Sequence, residues 1–314
     1  MTVLYYTDAD FLHHDTGPGH PERPERLRAI EQALSAPKFN ILQRVAPPIP
    51  TDIEDKLALI HTHAMINRVL TGIPEHGLTH FDADTVASAG SKQAALRAVG
   101  ALCDSVDKIS SRTANKAFCA VRPPGHHAMP GYPMGFCLFN NVAIGAEYAR
   151  TRYGLERIAI VDFDVHHGNG TQAAFYEQPQ VLYASSHQWP YYPGSGHPTE
   201  TGVGNIINVP LKSGTDGVTF RAKYQEIILP ALRQFNPQFI FISAGFDAHK
   251  DDPLASLRLV EDDFRWITQE LMTIADACCN GHIISSLEGG YDLKALASSV
   301  AAHVGCLAEL EGDE

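Results

Sequence analysis

The 314-residue chain is 44% hydrophobic and 19% charged, a composition that supplies a large core and gives no sign of disorder. Its length exceeds the usual mode of about 100–150 residues per domain, but α/β units run to about 250 or more, so a single domain over 1–314 is predicted. A formal net charge of −12 argues against a general grip on nucleic acid, which needs Lys and Arg against phosphates, and would suit cationic partners such as polyamines or basic peptides.

Strand-like apolar runs are predicted at 2–6, 117–121, 157–161, 181–185, 206–209, 239–243 and 282–287. Helices are predicted at 91–109, 138–153, 217–235, 261–280 and 292–310. This alternation implies β-α-β crossovers, hence an α/β fold with a mostly parallel sheet covered by helices on both faces. Irregular stretches rich in Gly, Pro, His and Tyr at 7–24, 123–133 and 187–205 are of the length that builds binding sites. The amino terminus has no basic segment followed by a long apolar one, no apolar run approaches about 18 residues, and the six cysteines form no C-x-x-C pair. A cytoplasmic protein with reduced thiols and no membrane segment is expected.

Four strand-like runs end in chemistry-bearing residues: Arg122-Pro-Pro-Gly-His126-His127, Asp162-Phe-Asp164-Val-His166-His167, Ala244-Gly-Phe-Asp247 and Glu288-Gly-Gly-Tyr291. In an extended chain Asp162, Asp164 and His166 share a face while Phe163 and Val165 pack the other way, so two carboxylates and an imidazole converge at a strand end. Asp247 is the best third ligand for a metal with an open coordination position. By itself an Asp after a strand more commonly caps a helix, and the companion motifs reverse those odds. His126 and His127, adjacent on a stiff Pro-Pro-Gly turn, suit proton transfer. A phenol at Tyr291 after two glycines can donate to a developing oxyanion. In an open α/β sheet ligands bind beyond the carboxyl ends of the strands, so the topology brings all four segments to one rim.

The order and spacing of these motifs, with His20-Pro-Glu-Arg-Pro-Glu-Arg26 before them and Asp-x-Asp-x-His-His-Gly-Asn-Gly at 162–170, resemble the zinc-dependent histone deacetylase and acetylpolyamine amidohydrolase family, of arginase-like fold. The resemblance runs from His20 through Tyr291. It implies that Asp164, His166 and Asp247 bind zinc, although iron(II) accepts the same ligands. It implies that His127 is general base and then acid, that His126 orients water, that Asp162 supports His126 and Asn169 supports His127, and that Tyr291 polarises the acyl carbonyl. It also implies a potassium ion at Asp162, Asp164, His166 and Ser185. Asn169, where other members have Asp, is class II-like, and a neutral amide leaves His127 the better free base.

Gly135, Phe136 and Tyr192 match the walls of the family's acyl-lysine tunnel, with Tyr192 replacing the more usual Phe. Two aromatic faces suit a thin aliphatic chain ending in an amide. Polyamine-selective relatives tend to carry an acid at the rim, in one subgroup at the position of Leu254; leucine cannot supply that charge, leaving Asp82, Asp84 or Asp251 to do so from another angle. An acylated lysine in a peptide or protein is therefore the expected substrate, and an acetylpolyamine the second. Two further functions fit the fold class: an inactive acyl-lysine reader and a dimanganese ureohydrolase. The intact catalytic set speaks against the reader, and the Asp-x-Asp-x-His order speaks against the ureohydrolase. Assembly into an oligomer is compatible with all four functions.

Overall fold

Runs of apolar and β-branched residues without polar interruption, such as Ile158-Ala-Ile-Val-Asp162 and Phe239-Ile-Phe-Ile-Ser-Ala244, form strands buried along their whole length, as expected for a sheet covered on both faces. The computed structural model describes residues 2–310, so the outermost residues of the predicted 1–314 unit lie outside the described part. Eight strands form one parallel sheet: β1 (Val3–Tyr6), β2 (Gln43–Val45), β5 (Lys116–Cys119), β6 (Ile158–Asp162), β7 (Val181–Gln188), β8 (Ile206–Leu211), β9 (Phe239–Ala244) and β10 (Ile283–Leu287). Their spatial order is β2-β1-β5-β10-β9-β6-β7-β8, and every pairing is parallel. The four strands that end in the motifs, β5, β10, β9 and β6, are therefore consecutive neighbours although far apart in sequence.

The helices are α1 (Glu25–Ala33), α2 (Ile53–Leu57), α3 (His63–Gly72), α4 (Ser91–Ser110), α5 (Asn141–Tyr153), α6 (Asn169–Phe175), α7 (Gly217–Lys223), α8 (Leu229–Phe235), α9 (Glu261–Cys279) and α10 (Leu293–Leu307). α4 packs on α5, and α10 packs on both α1 and α9. A two-stranded antiparallel pair, β3 (Leu78–His80) with β4 (Val86–Ser88), stands apart from the main sheet.

Several boundaries differ from the sequence expectation for identifiable reasons. The helix predicted from 138 begins at Asn141 because Asn140 caps it, its side chain accepting from the N–H of Ala143 at 3.0 Å. Asp292 caps α10 in the same way. The helix predicted over 217–235 is interrupted by a π turn at Tyr224–Ile228 just before Pro230, where the missing N–H and the ring's steric demand favour a wider turn. Strand β7 runs on to Gln188 because β8 pairs with it as far as Leu211. The short elements α1, α2, α3, α6, β2, β3 and β4 lie outside the predicted helices and strands.

No helix among the described residues is long and apolar enough to cross a membrane. All six cysteines are free, five of them buried.

Candidate active site

Strand pairing of β6 ends at Asp162, so the convergence of Asp162, Asp164 and His166 does not come from strand alternation as expected. A bend takes over, in which the N–H of Asp164 donates to Asp162 Oδ1 (3.1 Å) and that of His166 donates to Asp164 Oδ1 (2.9 Å). Each acid thus satisfies a backbone donor two residues on, turning the chain in place of the lost ladder. The apolar positions behave as predicted: Phe163 and Val165 are buried, with Phe163 packed against Phe246 and Phe264.

Asp247 reaches the same point from β9. No helix follows it, so it caps none; its Oδ1 accepts from the N–H of Val165 at 2.9 Å and its Oδ2 lies 3.1 Å from His166 Nδ1. His166 Nδ1 is also 3.2 Å from Asp164 Oδ1. Ligand atoms of Asp164, His166 and Asp247 lie within 4.8 Å of one another, the one such group of His, Cys, Asp or Glu among the described residues. Two carboxylates and an imidazole, all buried, are a donor set that fits a divalent ion such as zinc and leaves a position open. A second set, needed for a dimanganese centre, is absent among the described residues.

Gly289 makes this closeness sterically allowed. Its N–H donates to Asp164 Oδ2 at 2.8 Å, and a Cβ there would stand 2.1 Å from Asp247 Oδ2 and 2.7 Å from Asp164 Oδ2. Only a residue without a side chain lets β10's end approach both carboxylates.

The two histidines lie with ring centroids 4.0 Å apart in distinct environments. His126 Nδ1 is 3.0 Å from Asp162 Oδ2, which also accepts from the Tyr183 hydroxyl. Burial works against a charge on His126, but Asp164, Asp162 and Glu288 outweigh it and raise its pKa to about 10. His127 bonds through Nδ1 to Asn169 Oδ1 at 2.7 Å. Burial, with His126 and His166 beside it, holds its pKa well below the usual imidazole value. The surrounding carboxylates favour the charged form of His126, and burial favours the neutral form of His127.

A cavity of about 190 Å3 opens above these groups, and Phe136, Tyr192, Gly135, Leu254, His126, His127, His166 and Tyr291 are among its lining residues. Gly135 lies hard against His127: a Cβ there would meet Cδ2 of the ring at 2.5 Å. Phe136 adopts φ 67°, uncommon for a non-glycine residue, with its N–H held by the Thr85 hydroxyl. Tyr192 sets its ring edge-on to His127 at 5.2 Å, and Phe136 does the same to Tyr291 at 5.9 Å. The Tyr291 phenol is 8% exposed, and burial together with Asp247 raises its pKa well above the ordinary value, keeping the proton available for donation. Of the three acids that could supply the charge Leu254 lacks, Asp84 lines the cavity; Asp82 and Asp251 do not. Ser185 sits beside Asp162 in the sheet register, with its hydroxyl bonded to His187 Nδ1.

Sequence reasoning missed four participants. Tyr191 stacks on His166 at 5.7 Å and donates to the carbonyl of Leu254. Arg26 donates to the carbonyls of Gly290 (2.6 Å) and Glu288, and its guanidinium lies 5.0 Å from the Tyr291 ring centre. Glu22 binds both Arg122 and Arg26 in a fully buried cluster, tying the 20–26 segment to the histidine loop. Glu288 accepts from the N–H groups of Gly125 (2.7 Å) and His126 (3.1 Å). The charged residues of the quoted motifs were the available signal, since ionic side chains inside apolar segments need buried partners.

The histone deacetylase domain model matches residues 20–307. Histone deacetylase 10, chloroplastic, of Oryza sativa subsp. japonica is 37% identical over 95% of this chain and 71% of its own length. A histone deacetylase-like amidohydrolase of Pseudomonas aeruginosa is 36% identical over 87% of this chain and 73% of its own. The crystal structure of the HDA15 HD domain superposes with a TM-score of 0.92 at 34% identity, covering 98% of this chain and 88% of that one. With its motifs gathered at the ends of four adjacent strands and this agreement over almost its whole length, the chain belongs to the histone deacetylase family.

Proposed function

We propose that the protein is a zinc-dependent deacetylase that hydrolyses the side-chain amide of acylated lysine. The observation that carries this reading is the aromatic-walled cavity lined by His127, His166 and Tyr291, with Asp164 and Asp247 grouped with His166. A zinc ion held by those three residues would supply Lewis acidity, making a water nucleophilic near neutral pH. Phe136 and Tyr192 grip the aliphatic stem and exclude water beside it. His127, neutral, accepts the proton of the attacking water as its oxygen bonds to the acyl carbon. Tyr291 donates a hydrogen bond to the oxygen that gains charge. His126, held by Asp162, helps orient the water and stabilise the developing charge. When the C–N bond breaks, the proton on His127 passes to the leaving lysine amine. A potassium ion beside Asp162 and Ser185 would support the same turn.

A second reading, hydrolysis of acetylpolyamines, draws support from Asp84 in the cavity wall, where a carboxylate can meet a second ammonium. Leu254, apolar and on the same wall, favours the lysine side chain.

The test is hydrolysis of an acetyl-lysine peptide, with and without chelator. Activity should vanish on chelation and return with zinc. Stoichiometric metal in an Asp164→Ala, Asp247→Ala double variant would remove these ligands from the assignment, and an intact protein with no metal-dependent turnover would leave only a binding role.

A further inference from the structure

The segment that leaves Asp247 continues through Asp252 to Leu254 on the cavity wall, and one buried carboxylate in it joins two parts of the site. Asp252 is 7% exposed. Its Oδ2 accepts from the N–H of Tyr291 at 2.7 Å and, more distantly, from that of Asp292 at 3.4 Å. Its Oδ1 accepts from the N–H of Leu254 at 2.9 Å. Tyr291 follows two glycines, so the backbone before it has no side chain to fix it. Arg26 secures that stretch at the carbonyls of Glu288 and Gly290, and Asp252 secures the next amide.

We propose that Asp252 is a positioning residue that locks the Tyr291 phenol to the Leu254 rim, so that the oxyanion donor and the mouth of the tunnel are held as one unit. This rests on the reading of Tyr291 as the oxyanion donor. The contacts reach backbone amides only, so Asp252 acts through Tyr291 and touches no reacting atom. A carboxylate suits the task because both its oxygens accept. An amide has one accepting oxygen, and whichever way Asn is turned, its NH2 group faces an N–H of Leu254 or of Tyr291. Losing either bond releases one end of the lock, and a donor displaced by about 1 Å loses on the order of 10²-fold in rate.

A double-mutant cycle tests this: wild type, Asp252→Asn, Tyr291→Phe and the pair, each with its metal content, Tm, and kcat and KM for an acetyl-lysine peptide. Asp252→Asn should lower kcat by about tenfold or more with KM and metal content little changed. In the Tyr291→Phe background the same substitution should cost less than about threefold, because the group it positions is gone. Equal losses in both backgrounds, or near-wild-type kcat in Asp252→Asn, would overturn the proposal. Near-wild-type kcat in Tyr291→Phe would instead sink the role of Tyr291 on which it rests. Should Asp252→Asn not fold, hydrogen exchange in the wild-type holoenzyme decides: the amides of Tyr291 and Leu254 should be protected together, and exchange at exposed-loop rates at either would overturn the lock.

Discussion

His127 Nδ1 lies 2.7 Å from Asn169 Oδ1, while Asn169 Nδ2 faces the sulfurs of Met129 and Met134 at 3.1 and 3.2 Å. The amide oxygen therefore accepts the ring proton, fixing it on Nδ1 and leaving Nε2 as the basic atom. The amide's hydrogen bond favours an imidazolium, but less than a carboxylate would.

Asn169→Asp changes that balance. A carboxylate at this distance favours the charged ring and raises the pKa of His127 by about 1 unit or more. Because the base must be neutral to accept a proton, the acidic limb of kcat/KM should move to higher pH. An unmoved limb would mean that His127 is not the group whose ionisation controls the rate.

Gly289→Ala should empty the metal site. The new Cβ would fall 2.1 Å from Asp247 Oδ2, so one of the two carboxylates must leave its position. Metal content after dialysis should drop well below one per chain, with little change in far-UV circular dichroism. Full retention of metal and activity would show that the carboxylates can retreat without losing the ion.

Substrate choice turns on the rim. Two unit charges at about 4 Å gain roughly 4 kcal/mol at an effective dielectric of 20, before desolvation. Leu254 forgoes that gain, so wild type should show the higher kcat/KM on an acetyl-lysine peptide, and Leu254→Glu should shift preference toward acetylpolyamines. If wild type already favours acetylspermidine by about tenfold or more, which corresponds to about 1.4 kcal/mol, the ranking is reversed. Asp84→Asn should then abolish that preference.

His303, its ring 6.0 Å from that of Phe163 and 5.7 Å from that of Phe246 in the core, provides a pH signature of stability. It is fully buried between the hydroxyls of Thr268 (2.6 Å) and Ser285 (2.8 Å), and burial lowers its pKa to about 3. In the unfolded chain the value is about 6.5, so below that pH the unfolded state binds a proton that the folded state refuses. The stability contributed by keeping this ring neutral is present above about pH 6.5 and is lost as pH falls toward 3, by up to about 1.4 kcal/mol per unit. Urea titrations between pH 7 and 4 should show a flatter pH dependence for His303→Gln than for wild type. Parallel curves would remove His303 from the acid response.

The sequence by itself determined the parallel α/β sheet and the inventory of the site. Uninterrupted apolar runs such as Phe239–Ala244 can be satisfied only where both faces of a strand are covered, and a ligand rim at strand ends follows from that topology. What local pattern does not encode, tertiary structure decided. The adjacency of β5, β10, β9 and β6 depends on crossovers between distant segments. The bend that gathers Asp162, Asp164 and His166 arises where strand pairing stops, which no alternation rule locates. Glu22, Arg26 and Glu288 stand within the quoted motifs, and Asp252 beside one, but the sequence does not name their partners; folding buries them, and a buried charge must find its partner wherever the chain brings one. Those partners are the loops bearing His126 and Tyr291, so long-range burial, which the sequence does not display, sets how the legible residues face one another.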